Sequence, residues 1–125
     1  MKRNPEGRVV TWLRNNEANL YISAITIGEM RRGVERLPGG PRKALLKNWL
    51  ELLGGRMRGR ILSFNTSTAH VWGQLKAKWE KEGIIVPSLD SQIAATAHRH
   101  QLAVVTRNVA DFERTGLKVL NPFLD

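Results

Sequence analysis

An α/β fold, with a largely parallel sheet flanked by helices, is predicted for this chain by three observations. Segments of helical periodicity alternate with short apolar, β-branched runs. Those runs are apolar almost throughout, which suits parallel strands buried on both faces better than half-exposed ones. The 125 residues suffice for one hydrophobic core, and no repeat, linker or low-complexity stretch divides them, so a single domain over residues 1–125 is expected.

The elements follow in order. PEGRVVTWLRNN reads as a short amphipathic helix with Pro5 in its first turn and Val9, Val10, Trp12 and Leu13 inward. NLYISAI is a strand by its apolar and β-branched content. A helix then runs from Thr26 to about Leu37, until LPGGP stops it. PRKALLKNWLELLGG is a second helix, with Leu45, Leu46, Trp49, Leu50 and Leu53 as its apolar stripe. GRILSF is the next strand. Val71, Trp72, Leu75 and Trp79 set a helical spacing from Ser67 to Glu82, and Gly83 marks its end. A further helix starts near Ser88 and leads into the strand LAVVT, a short helix around Asp111–Arg114 and a last strand, LKVLNP.

Composition narrows the function. There is no cysteine, which excludes disulfides, iron–sulfur clusters and thiolate zinc sites. No signal peptide or membrane-spanning stretch is legible, so a cytoplasmic, soluble chain is expected. The formal charge of +9 favours polyanionic partners, and it is lopsided: residues 1–60 hold thirteen basic and five acidic residues, the rest seven and six. Any polyanion groove should therefore draw on the first half. Arg31, Arg32 and Arg36 lie on one predicted helix, and Arg32 and Arg36 share a face by their i,i+4 spacing. A charge run of this kind also serves simply as a solvated face.

Three acids, Glu29, Asp90 and Asp111, each stand past a predicted strand near a helix start. In a parallel sheet such positions fall along one rim, where distant carboxylates can meet. Each has a plain structural reading as well: Thr26 and Glu29 make a capping-box spacing, Asp90 complements a helix dipole, and Asn108 and Asp111 repeat the cap-plus-three pattern. Clustering three carboxylates is costly unless a cation offsets their charge. Oxygen ligands without cysteine point to a hard cation, Mg²⁺ or Mn²⁺. His98 and His100 diverge on their helix and His70 is solitary, so no zinc site is expected. No nucleophile elbow, phosphate loop or dinucleotide fingerprint occurs, and metal-assisted hydrolysis of a phosphodiester is the chemistry left.

SAITIGEMRRGV, LDSQIAATA and TRNVADF followed by GLKVLNPF closely resemble motifs of PIN-domain ribonucleases, in particular the VapC and FitB-like toxins of bacterial toxin–antitoxin pairs. The resemblance runs over nearly the whole chain. It implies a PIN-like three-layer fold, a Mg²⁺- or Mn²⁺-dependent endoribonuclease, a homodimer, and inhibition by a cognate antitoxin. Glu29, Asp90 and Asp111 take the places of the family's metal-binding and catalytic acids, and Thr106 and Asn108 match polar positions beside them. Arg31, Arg32 and Arg107 would hold RNA phosphates. Relatives open with an apolar strand ending in an L-D-T-N-like motif, whereas this chain starts MKRNPEGRVV. The resemblance thus implies a domain truncated at its N-terminus, without that central strand and its Asp. Two other functions stay open: a remnant that binds an antitoxin or RNA without cleaving, and a basic nucleic-acid binding module without chemistry.

Overall fold

Short parallel strands and longer helices alternate through the computed structural model, which describes residues 11, 12, 15–106 and 108–121. Most of the predicted first helix, including Val9, Val10 and Leu13, lies outside those residues. Thr11, Trp12 and Asn16 are helical, with the Asn16 Nδ2 donating to the Trp12 carbonyl at 2.8 Å. A 3-10 turn at Glu17–Asn19 follows.

The chain divides into two compact units, one of them Tyr21–Phe64 and the other formed by the remaining residues. In Tyr21–Phe64, strand β1 (Ile22–Ser23) leads directly into helix α1 (Ala24–Glu35), then α2 (Pro41–Arg56) and β2 (Ile61–Leu62). The two strands are parallel, with Ile22 opposite Ile61 and Ser23 opposite Leu62. The two helices between them supply the crossover that a parallel pair requires.

This unit corrects two expectations. The strand read in NLYISAI shrinks to two residues, and α1 starts at Ala24 rather than Thr26. The reason is local: the Ser23 hydroxyl accepts from the Ile25 N–H at 3.0 Å, so a capping hydrogen bond starts the helix where β-branched composition pointed to a strand. The second correction concerns α2. Its inward stripe is the buried Leu50 with the half-buried Leu46 and Leu53, while Leu45 at 69% and Trp49 at 47% exposure stand outside it. A helix with leucines on several faces can bury only one stripe, and packing against α1 chooses which. Gly40, at φ 148°, and Pro41 at the first helical position set the entry into α2.

The other unit holds α3 (Thr66–Lys81), α4 (Ser88–Arg99), β3 (Val104–Val105), α5 (Val109–Phe112) and β4 (Val119–Leu120). Strands β3 and β4 are parallel, Val104 opposite Val119 and Val105 opposite Leu120. The short helix begins two residues before the predicted Asp111. Asn65 caps α3, its side-chain oxygen accepting from the Thr68 N–H at 3.0 Å and the Thr68 hydroxyl at 3.1 Å. Gly83, at φ 72°, closes α3 as its spacing predicted. The core gathers Trp79, Val86, Ala94, Ala97, Val104 and Phe112. Fully buried Ala94 and Ala95 let α4 approach its neighbours closely, and α3 packs along it.

The mixed α/β class and the parallel pairing are as expected. Among the described residues the pairing takes the form of two separate two-stranded ladders, much shorter than the apolar runs that encode them. No helix among these residues is long and apolar enough to cross a membrane.

Candidate active site

Glu29 is the sixth residue of α1 and is exposed. Because Ser23 is the cap, the capping-box role that Thr26 and Glu29 could have shared is not formed. A carboxylate one and a half turns into a helix gains little from the helix dipole, which acts over the first turn. Arg31 and Arg32 follow on the same helix. Arg31 Nε lies 3.0 Å from a Glu35 carboxylate oxygen in an exposed i,i+4 pair, and pairs of this kind contribute only about 0.3–0.5 kcal/mol. The Arg31 guanidinium is therefore easily released to a stronger anion, and Arg32 is exposed.

The other acids belong to the second unit. Asp90 is the third residue of α4 and half-buried. The cap position of α4 is Pro87, which offers no side-chain acceptor. The first turn is held instead by Ser91: its N–H donates to the Pro87 carbonyl at 2.7 Å, and its hydroxyl donates to the Ser88 carbonyl. Asp111 is the third residue of α5, half-buried, with its N–H donating to the Asn108 carbonyl at 3.1 Å. Helices α4 and α5 pack together, so Asp90 and Asp111 stand on neighbouring elements.

The turn between β3 and α5 is built by Thr106. Its N–H donates to the Leu120 carbonyl at 2.9 Å, extending the ladder, while its hydroxyl accepts from the Asn108 N–H at 3.0 Å. That hydroxyl-to-backbone turn bends the chain from strand to helix. Asn108 occupies the cap position of α5 without a side-chain capping bond, and it is exposed. The cap-plus-three reading of Asn108 and Asp111 thus lacks its hydrogen bond. Arg107 lies outside the described residues.

Glu29, Arg31 and Arg32 therefore fall in one unit, and Asp90, Thr106, Asn108 and Asp111 in the other. Among the described residues no three Asp, Glu or His side chains form a group that could hold a metal ion. The donor chemistry still suits a hard cation: Mg²⁺ commonly takes one or two carboxylates and completes its shell with water and substrate phosphates. Asp90 and Asp111 meet that smaller requirement in donor type.

Sequence reasoning missed two residues at this site. The Trp72 Nε1 donates to the Ser91 hydroxyl at 2.8 Å, and the Lys76 ammonium donates to the Val86 carbonyl at 2.7 Å. Helical spacing placed Trp72 on a helix and left Lys76 unmarked, because nothing local signals partners 19 and 10 residues away.

The chain is similar to known proteins over nearly its whole length. The PIN domain profile matches residues 2–118. A VapC ribonuclease of Sinorhizobium fredii is 34% identical over 98% of this chain and 89% of its own length. The toxin FitB of Neisseria gonorrhoeae is 35% identical over 100% of this chain and 91% of its own. Among solved structures, FitAB bound to a DNA fragment superimposes with a TM-score of 0.87 at 35% identity, covering 98% of this chain and 87% of that one.

Proposed function

The chain belongs to the PIN-domain family, and from that membership we propose that it is an endoribonuclease toxin of a toxin–antitoxin pair, working on RNA in the cytoplasm. The observation that carries this reading is the likeness to the VapC ribonuclease and the toxin FitB over nearly the whole chain. Glu29 caps nothing as a helix-start residue and Asn108 makes no side-chain capping bond at α5, so the capping spacings do not account for Glu29 and Asp111, which in this reading take the family's motif positions.

In this reading Glu29, Asp90 and Asp111 would hold Mg²⁺ or Mn²⁺. When bound, such a cation stabilises the charge that develops on a phosphodiester during hydrolysis. The chain's own residues do the rest. Carboxylate oxygens orient the attacking water and accept its proton. The exposed Asn108 carboxamide offers donors to a phosphate oxygen, and Arg31, Arg32 and Arg107 attract the RNA backbone without reading its sequence. The family match spans both units, which supports one PIN domain over the chain. An antitoxin partner is supported by the likeness to the FitAB complex and the toxin FitB, and a homodimer belongs to the same reading.

A second reading is a PIN protein that binds an antitoxin or RNA and cleaves nothing. It is favoured by the lack of a three-acid group among the described residues. One experiment separates the two. Incubation of the purified chain with RNA and Mg²⁺ or Mn²⁺ yields cleavage that chelator stops and Asp90→Asn abolishes if the first reading is right. Binding without cleavage at high protein concentration supports the second.

A further inference from the structure

We propose that Trp72 and Ser91 are positioning residues for the Asp90 carboxylate, forming with Lys76 a polar clamp that fixes the first turn of α4 against one face of α3. The inference rests on the ribonuclease reading above, since it takes Asp90 to be an acid of the active site.

The first turn of a helix is its weakest part, because its N–H groups lack intrahelical partners. In α4 the cap is Pro87, whose side chain accepts nothing. Asp90 therefore sits on a first turn that receives no side-chain cap from the residue before it. Ser91, fully buried at 0% exposure, makes up for this by tying the turn to itself through the Pro87 and Ser88 carbonyls. Its hydroxyl still has an acceptor site, and the Trp72 N–H fills it at 2.8 Å.

Lys76 lies four residues after Trp72, on the same face of α3. It reaches the carbonyl of Val86, which is 2% exposed and precedes Pro87. The segment carrying Asp90 is thus tied to α3 on both sides of the proline. Helix α3 is itself anchored, by the Asn65 cap at one end and by Trp79 in the core.

Stability alone does not require this pair. Replacing two buried hydrogen-bonding partners by apolar groups of the same shape is often neutral, because the favourable bond is largely offset by desolvation. What a directional N–H to hydroxyl contact adds is a specified position, and it is specified at the residue next to the acid. Reacting groups must be held to within about 0.5 Å to function, and supporting side chains are what hold them.

The test uses the full chain, with Trp72→Phe, which keeps the ring and removes the donor, and Ser91→Ala. Three quantities are measured: kcat and KM on a single-stranded RNA, Mn²⁺ affinity by calorimetry, and the melting temperature. Loss of a supporting hydrogen bond is expected to lower kcat and Mn²⁺ affinity about tenfold, with KM and melting temperature nearly unchanged. In an Asp90→Asn background Trp72→Phe should lower the remaining Mn²⁺ affinity no further. A Trp72→Phe protein with parental kcat and Mn²⁺ affinity, or one that only melts earlier, overturns the inference while leaving the ribonuclease reading intact. Parental cleavage by Asp90→Asn overturns the inference and removes Asp90 from the site, and a parent chain that neither cleaves RNA nor binds Mn²⁺ overturns both. Should Ser91→Ala fail to fold, the Trp72→Phe result decides.

Discussion

Gln101 occupies, at φ 57°, the left-handed backbone conformation that Gly83 occupies at φ 72°. Both residues follow a helix that ends with the same pair of hydrogen bonds. After α3 the Ile84 N–H donates to the Trp79 carbonyl at 2.8 Å and the Gly83 N–H to the Glu80 carbonyl at 3.1 Å. After α4 the Leu102 N–H donates to the Ala97 carbonyl at 2.9 Å and the Gln101 N–H to the His98 carbonyl at 3.2 Å. A side chain in that conformation costs about 1–2 kcal/mol, because its Cβ crowds the carbonyl. Gln101→Gly is therefore expected to stabilise the chain by about 1 kcal/mol after the added flexibility of the unfolded state is counted. Gly83→Ala, with open space around its Cβ, should destabilise it by a similar amount through backbone strain alone. Urea unfolding of both variants checks the opposite signs.

Trp79 is 3% exposed in the core that joins α3, α4 and β3. Trp79→Ala removes the largest side chain there and is expected to cost about 3–5 kcal/mol, a large share of a typical domain's stability. A thermal melt followed by circular dichroism should show a fall of many degrees or no cooperative transition.

Asn65 satisfies two donors of Thr68 at the start of α3. Asn65→Ala should cost about 1 kcal/mol, and Asn65→Ser distinctly less, since serine can still accept from the backbone. Chemical denaturation of the two variants orders them.

For the acids, Glu29→Gln, Asp90→Asn and Asp111→Asn are each expected to slow RNA cleavage at least about 100-fold while the far-ultraviolet spectrum stays unchanged. Chelator should stop cleavage by the parent chain, and added Mg²⁺ or Mn²⁺ should restore it. Undiminished cleavage by any one variant removes that residue from the site.

Arg32→Ala should weaken RNA binding evenly across sequences and reduce the salt slope by about 0.7 for the lost phosphate contact. Arg31 starts from an exposed ion pair, so Glu35→Gln should tighten RNA binding slightly by releasing it. Filter binding at several salt concentrations measures both.

Much of the fold is written locally. The order of elements, the stop at Gly83, the Gly40–Pro41 entry into α2 and the start of α4 at Ser88 follow from signals spanning a few residues, and the structure keeps them. Local signals also competed. Around residues 22–26, β-branched composition and a serine cap made opposite claims on the same stretch, and the cap's hydrogen bond prevailed. The acids were legible as positions in a motif, yet whether Glu29 capped a helix could not be read from spacing, because Ser23 and Thr26 both offer a hydroxyl.

The sequence by itself determined the alternation of helices and strands, the family and the candidate acids, since each rests on residue type and near spacing. Tertiary structure decided what depends on partners distant along the chain. It chose Leu46, Leu50 and Leu53 over Leu45 and Trp49 as the inward stripe of α2, and it gave Trp72 a hydrogen-bond acceptor in Ser91. The physical reason is the same in both cases: helical periodicity shows that a face exists, but only the element packed against it determines which face is buried and which polar group finds its partner.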